Sequence, residues 1–234
     1  MREFDPFWYQ THMPEGAVGV MKFVLVWRGK LPASANKGKP LDVARIRDDL
    51  SPQMSFLWDT HHALQVLKEY AWARNPNALR QVGILATQNG PATPRQHGQM
   101  ISGSMIDLCD WLPVAAKRYK PLVRKSLNLS CDLDILFLRQ DDPGSLITQG
   151  GDLDGRIKTL LDALRIPSVQ EQNVSGPANA DTYCLMESDT LVSSMNVETE
   201  RLLFPDSTHP HEVHLIIEVS LRVLRVDQSN YCLL

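Results

Sequence analysis

The sequence is short of several things, and each shortage removes a class of function. Its four cysteines, Cys109, Cys131, Cys184 and Cys232, are widely scattered and form no CxxC pair. That argues against a zinc knuckle and makes reduced thiols the default reading. No apolar run approaches the roughly 18 residues that a membrane helix needs. The opening MREFDPFWYQ lacks a basic start followed by an apolar stretch, so a secretory leader is not expected and the cytoplasm is the expected compartment. There is no GxSxG turn, no cysteine beside a plausible base and no Walker-type glycine loop, which leaves nucleophilic serine or cysteine chemistry and nucleotide cradling without local support. An excess of positive charge is also missing. The formal net charge is -3, whereas proteins that track phosphates are usually basic, so any nucleic-acid contact must come from a local patch.

What is present is ordinary globular material: 234 residues, 43% hydrophobic and 22% charged, enough for one sizeable domain. MKFVLVWR at 21–28 reads as a first strand, followed by a Gly/Pro/Ser/Asn-rich loop. A helix is expected from Pro52 to about Arg74, with Ser51 as N-cap and Leu57, Leu64, Leu67 and Ala71 near helical spacing, ended by Pro76. QVGILA at 81–86 gives a short strand, and Gln99–Trp111 a second helix. LNLSCDLDILFLR at 127–139 is a strand with Cys131, Leu133, Ile135 and Phe137 on one face. After the Asp142-Pro143-Gly144 turn, GGDLDGRIKTLLDALRIP carries a helix. Its core stripe is Ile157, Leu160, Leu161 and Leu164, with Lys158 and Asp162 on the other side. Residues 168–182 are polar and turn-rich, a candidate mobile loop. CLMESDTLVSSMNVE and HEVHLIIEVSLRVLRV supply two final strands. The fold class read from this order is α+β: a single domain, 1–234, with a mixed β-sheet, packed helices and a helical elaboration over 40–125.

Asp152 and Asp154 stand two apart just before the helix, and carboxylates so spaced on extended backbone project to one side and can share a divalent cation. Asp154 is also placed to cap the helix, and Lys158 lies one turn along. Aspartates and a lysine around a helix start suit a phosphodiester, with a metal polarising phosphate oxygens and activating water. A DxDG turn before a helix is equally a common capping arrangement that needs no metal. The densest basic run is KRYKPLVRK, 117–125, carrying Lys117, Arg118, Lys120, Arg124 and Lys125. With Arg156 these are the candidate nucleic-acid contacts; a solvated loop or strand lead-in is the plainer reading of the run. Asp132 and Asp134 read as a polar strand face. His211 and His214 differ in strand parity, which speaks against a metal site in HPHEVH. His61 and His62 read as packing and surface residues, and Trp27, Trp58, Trp72 and Trp111 as core.

GGDLDGRIKTLLDAL resembles the signature of the RusA-like family of Holliday-junction resolvases, Asp-x-Asp-Asn-x-x-Lys followed by x-x-Leu-Asp-Ala-Leu, with Asp152, Asp154, Lys158, Leu161, Asp162, Ala163 and Leu164 in register. Glu187-Ser188-Asp189 occupies the place of the family's acidic pair, and Pro32, Ser34 and Asn36 echo its loop after the first strand. Gly155 stands where the family has asparagine and Ser188 where it has the first acid, and the chain is about twice the usual family length. The resemblance implies a homodimeric, Mg2+-dependent endonuclease cutting branched DNA. In it Asp152, Asp154 and Asp189 would hold metal and Lys158 would assist at the phosphate. The alternative it leaves open is a catalytically impaired relative that binds nucleic acid or protein.

Overall fold

A computed structural model describes residues 21–32, 39–74, 105–140, 153–171, 181–203, 212–227 and 229–234. The architecture is α+β, with mixed pairing in its sheets. Among the described residues the largest sheet has four strands, β1 (Lys22–Lys30), β6 (Leu129–Arg139), β8 (Val192–Arg201) and β9 (Glu212–Val223), in the order β1-β9-β6-β8. Strand β9 runs antiparallel to both β1 and β6, while β8 runs parallel to β6. The alternation that defines strands decides which face is buried. Leu25 and Trp27 of β1, Leu133, Ile135 and Phe137 of β6, and Leu215, Ile217 and Val219 of β9 all point into one core. The intervening Val24, Val26, Asp134 and Ile216 lie on the other, exposed face. The expected alternation in β6 is therefore observed residue for residue.

Two helices complete that core. The helix α1 (Lys39–Thr60) contributes Val43, Ile46, Leu50, Met54 and Trp58 at helical spacing, all buried. It begins well before Pro52, which sits inside it, so Ser51 is no N-cap; its Oγ instead accepts a hydrogen bond from the Tyr183 N–H at 2.9 Å. Proline removes one N–H and crowds the carbonyl one turn back, and the strong apolar stripe carries the helix through it. At His61 the backbone turns extended (φ -79°, ψ 119°), and a separate helix, α2 (His62–Tyr70), follows. The expected helical stretch to Arg74 stops there, because β2 (Trp72–Arg74) pairs antiparallel with β3 (Met105–Asp107). The same pairing turns the end of the anticipated 99–111 helix into a strand and a turn, in which Asp107 Oδ1 accepts the Cys109 N–H at 2.7 Å. Side-chain capture of a nearby backbone donor is how aspartate competes with helix formation. Residues 75–104, including the QVGILA segment, lie outside the described residues.

A three-stranded sheet, β4 (Leu112–Val114), β5 (Lys117–Val123) and β7 (Thr182–Met186), joins β5 parallel to β7. Residues 40–125 are thus not a purely helical elaboration: β5 pairs with a strand that follows the signature, so the two parts share one framework. Helix α3 (Leu153–Leu164) buries Ile157, Leu160 and Leu164 as expected, with Leu161 partly buried. Asp162, expected on the outer side, is buried instead, where its carboxylate pairs with Arg165 at 2.8 Å. Of the expected loop 168–182, residues 172–180 lie outside the described residues; Glu171 is held by Arg165 at 2.8 Å, and Thr182 already belongs to β7. Among the described residues no helix is long and apolar enough to cross a membrane.

One close approach near the end of β1 is testable. A Cβ on Gly29 would stand 2.6 and 2.9 Å from the ring of Trp27, which is buried and anchored through Nε1 to Asp49 Oδ2 at 3.0 Å. Gly29→Ala is expected to lower stability by about 1–3 kcal/mol through forced displacement of the indole. A thermal unfolding scan against the parent chain measures it.

Candidate functional site

The first turn of α3 carries Asp154, inside the helix rather than at its cap, because the helix already begins at Leu153. Asp154 and Lys158 are both exposed. Their i,i+4 spacing puts them on one face, about 5–6 Å apart at Cβ. Gly155 is buried, and its carbonyl accepts the Thr159 hydroxyl at 3.0 Å. That position therefore faces the interior, and the lack of an asparagine there leaves the Asp154–Lys158 face unchanged. Arg156 turns away from this face and donates to the Leu31 carbonyl, which ties the helix start to the chain leaving β1 at Pro32. Its guanidinium is a fastening between elements rather than a group presented to phosphate. Ser34, Asn36 and Asp152 lie outside the described residues.

Asp189 reaches the region by a different route. Strand β7 ends at Met186, whose carbonyl accepts the Ile166 N–H at 3.1 Å just beyond α3. Glu187 then bonds the start of the neighbouring segment twice, its N–H to the Val123 carbonyl at 2.9 Å and its Oε2 from the Lys125 N–H at 3.2 Å. Ser188 caps a short 3-10 turn, Asp189–Leu191, by accepting the Thr190 N–H at 3.3 Å; its hydroxyl also lies 3.4 Å from Asp189 Oδ1. Leu191 is buried under the turn, and Asp189 is exposed on it. The turn packs against both α3 and β6. The anticipated continuous strand through 184–198 is thereby broken into β7, turn and β8, and the break lifts Asp189 out of the sheet. Glu187 is engaged with backbone and stands beside the turn as a brace.

Among the described residues, no three His, Cys, Asp or Glu side chains gather as a cation site. Asp154 and Asp189, the two described members of the expected metal set, form no ion pair among those residues, and neither does Lys158. They are exposed hard-oxygen donors, of the kind a magnesium ion takes.

The basic run divides sharply. Arg124 is buried; its guanidinium donates to the carbonyls of Pro121 at 2.8 Å, Leu108 at 2.9 Å and Cys109 at 3.4 Å, and burial pushes its pKa down. It is a structural cation, not a surface contact. Lys120 lies between two indoles, its Nζ 4.9 Å from the Trp58 ring centre and 5.5 Å from that of Trp111, and burial lowers its pKa. Arg118 pairs with Asp181 and lies 5.6 Å from the Trp111 ring. Lys117 is partly buried, and Lys125 is exposed. Sequence spacing made these five equivalent; the alternation of β5 and the turn after it separate them.

Asp132 pairs with Arg222 across the exposed sheet face and Asp134 is exposed beside it, which agrees with a polar strand face. Trp27 and Trp58 are buried, Trp111 only partly, while the side chain of Trp72 lies outside the described set. His214 is partly buried, and burial lowers its pKa; His209 and His211 are outside the described residues. Burial pushes the thiols of Cys109, Cys131 and Cys184 up to about 12 and that of Cys232 to about 11, away from nucleophilic chemistry. Sequence reasoning passed over one feature, an apolar groove between β1 and α1 lined by Phe23, Val24, Leu25, Pro52, Gln53, Phe56, Leu57 and Thr60. Its signal was available in the exposed-phase apolar residues Val24 and Phe56. No family model, curated protein or solved structure matches this chain.

Proposed function

We propose that this chain is a Mg2+-dependent endonuclease that hydrolyses phosphodiesters in branched or structured DNA, acting as a homodimer whose two sites meet two strands. The observation that carries the reading is the exposed Asp154–Lys158 face on the first two turns of α3, inside a signature that resembles the RusA-like one. Asp154 and Asp189, with Asp152 by resemblance, would hold the metal. When bound it would polarise a phosphate oxygen and lower the pKa of water. Lys158 would neutralise charge developing on the phosphate, and the positive end of the α3 dipole would act in the same sense. Ser188 and Glu187 would fix the turn that presents Asp189. Of the exposed members of the basic run, Arg118 is paired with Asp181, and Lys125 would be the contact for backbone phosphate.

The second reading is a catalytically impaired module that binds nucleic acid or protein. It is favoured by the engagement of Arg118, Arg124 and Arg156 within the fold, which leaves fewer cations for phosphate. Cleavage of a labelled four-way junction beside linear duplex, with magnesium and then with chelator, separates the two. Magnesium-dependent junction cutting is the expected result. Intact gel-shift binding without cutting of either substrate would replace the nuclease by the binder.

A further inference from the structure

Among the described residues, one edge of the four-stranded sheet carries a stopper and the other does not. On β1 the Val26 N–H donates to Gln53 Oε1 at 3.0 Å, and Gln53 Nε2 donates to the Val26 carbonyl at 2.7 Å, so a side-chain amide from α1 imitates a neighbouring strand. The opposite edge is β8. Leu202, just past its end, donates its N–H to the Arg139 carbonyl, which sets the phase of the parallel ladder: Asn196, Glu198 and Glu200 turn their backbone groups towards β6. Met195, Val197 and Thr199 turn theirs outward, where nothing among the described residues bonds them. Exposed edges are ordinarily blunted by proline, lysine or a bulge. VSSMNVETER holds neither proline nor lysine, and its pairing with β6 shifts only at its start, beside Cys131. Met195, level with the buried Leu133, is 43% exposed, so the core face of the sheet is left uncovered at this edge.

We propose that β8 pairs with β8 of a second copy of this chain, antiparallel and centred on Val197, so that two four-stranded sheets join into one. The two-fold axis then stands normal to the sheet and keeps both core faces on the same side. Charge and phase select this occupant and this register. Val197 forms a hydrogen-bonded pair with its own copy, and Met195 exchanges backbone bonds with the partner's Thr199, all through groups that already point outward. Glu198 comes opposite the partner's Asn196 and Glu200 opposite the partner's Ser194, so each carboxylate meets an amide or a hydroxyl. Within one strand Asn196 Nδ2 already donates to Glu198 Oε1 at 3.3 Å, which places both on the face where the cross-strand pair would form. Centring the pair on Glu198 would set two carboxylates against each other, and centring it on Asn196 would set Glu200 against Val192. The pairing gives the homodimer of the proposed function its surface, and in that part rests on it. The turns that carry Asp189 enter β8 at its start, so the two would lie at opposite ends of the strand pair, roughly 30 Å apart at about 3.3 Å per residue.

Sedimentation velocity of the full chain over a concentration series tests it. The parent is expected at twice the mass of the chain. Asn196→Glu, at an exposed position, puts a carboxylate opposite the partner's Glu198 and is expected to weaken association at least tenfold. Adding Glu198→Lys to that variant restores opposite charges across the pair and is expected to recover the parent's affinity. A thermal unfolding scan of each variant reports that the fold is intact. A monomeric parent would overturn the pairing. So would a dimer indifferent to Asn196→Glu, or one that the double variant fails to restore, because another surface or register would then hold the copies together. Neither failure touches the chemistry: junction cleavage by a monomer would leave the nuclease standing without this interface, and a β8-paired dimer that cuts nothing would do the reverse.

Discussion

Arg124→Ala is expected to destabilise the protein by about 3–5 kcal/mol, the range for removing one partner from a buried, multiply bonded charge. Three carbonyls, those of Pro121, Leu108 and Cys109, lose this donor at once. For a chain of this size each kcal/mol moves the melting temperature by about 2–4 °C, so a fall of roughly 10 °C is expected. Lys125→Ala, one residue on and exposed, is the control and is expected to stay within about 0.5 kcal/mol. The pair distinguishes two roles that look identical in the sequence. A phosphate contact would lose DNA affinity, and about one unit of salt slope, with its melting temperature unchanged. Arg124 is expected to do the reverse.

Asp154→Asn carries the other large effect. It keeps the shape of the side chain and removes the charge that would hold a cation, so the initial rate of junction cleavage in magnesium is expected to fall about 10²–10³-fold or more. The fold is expected to survive. Asp154 is exposed, and loss of a carboxylate from a first helical turn costs about 0.3–1 kcal/mol. Gel-shift affinity measured beside the rate keeps binding and chemistry apart. An undiminished rate would remove Asp154 from the site. Lys158→Ala is expected to give a smaller loss of rate, since the lysine stabilises charge without holding the ion.

Much of this was legible in the residues. Strands β6 and β9 and helix α3 announce themselves because each buries one face completely, and complete one-sided burial writes its period into the sequence. Pro52 misled for a physical reason: it is a good first-turn residue, yet it is also tolerated within α1, where the stripe from Val43 to Trp58 outweighs one missing donor. The segment around Asp107 looked helical because strand pairing with Trp72–Arg74 is a long-range event that no local spacing reveals. The same holds at the candidate site. The Asp154–Lys158 face follows from helical spacing alone. The burial of Arg124 and Asp162 depends on which carbonyls and cations the finished fold brings to them, and charge in a sequence carries no mark of that.

The strand order has a consequence for how the chain is made. Strand β1 is the first described element to leave the ribosome, while β9, its partner along the whole of Lys22–Lys30, is the last strand. Until β9 emerges, Phe23, Leu25 and Trp27 have no finished sheet to enter, and β7 likewise must appear before β5 is paired on both sides. Pairings that span the chain close late and slowly. A growing chain of this kind presents an unpaired apolar strand until its last strand is made, and exposed strands of that sort are prone to associate with one another before folding completes.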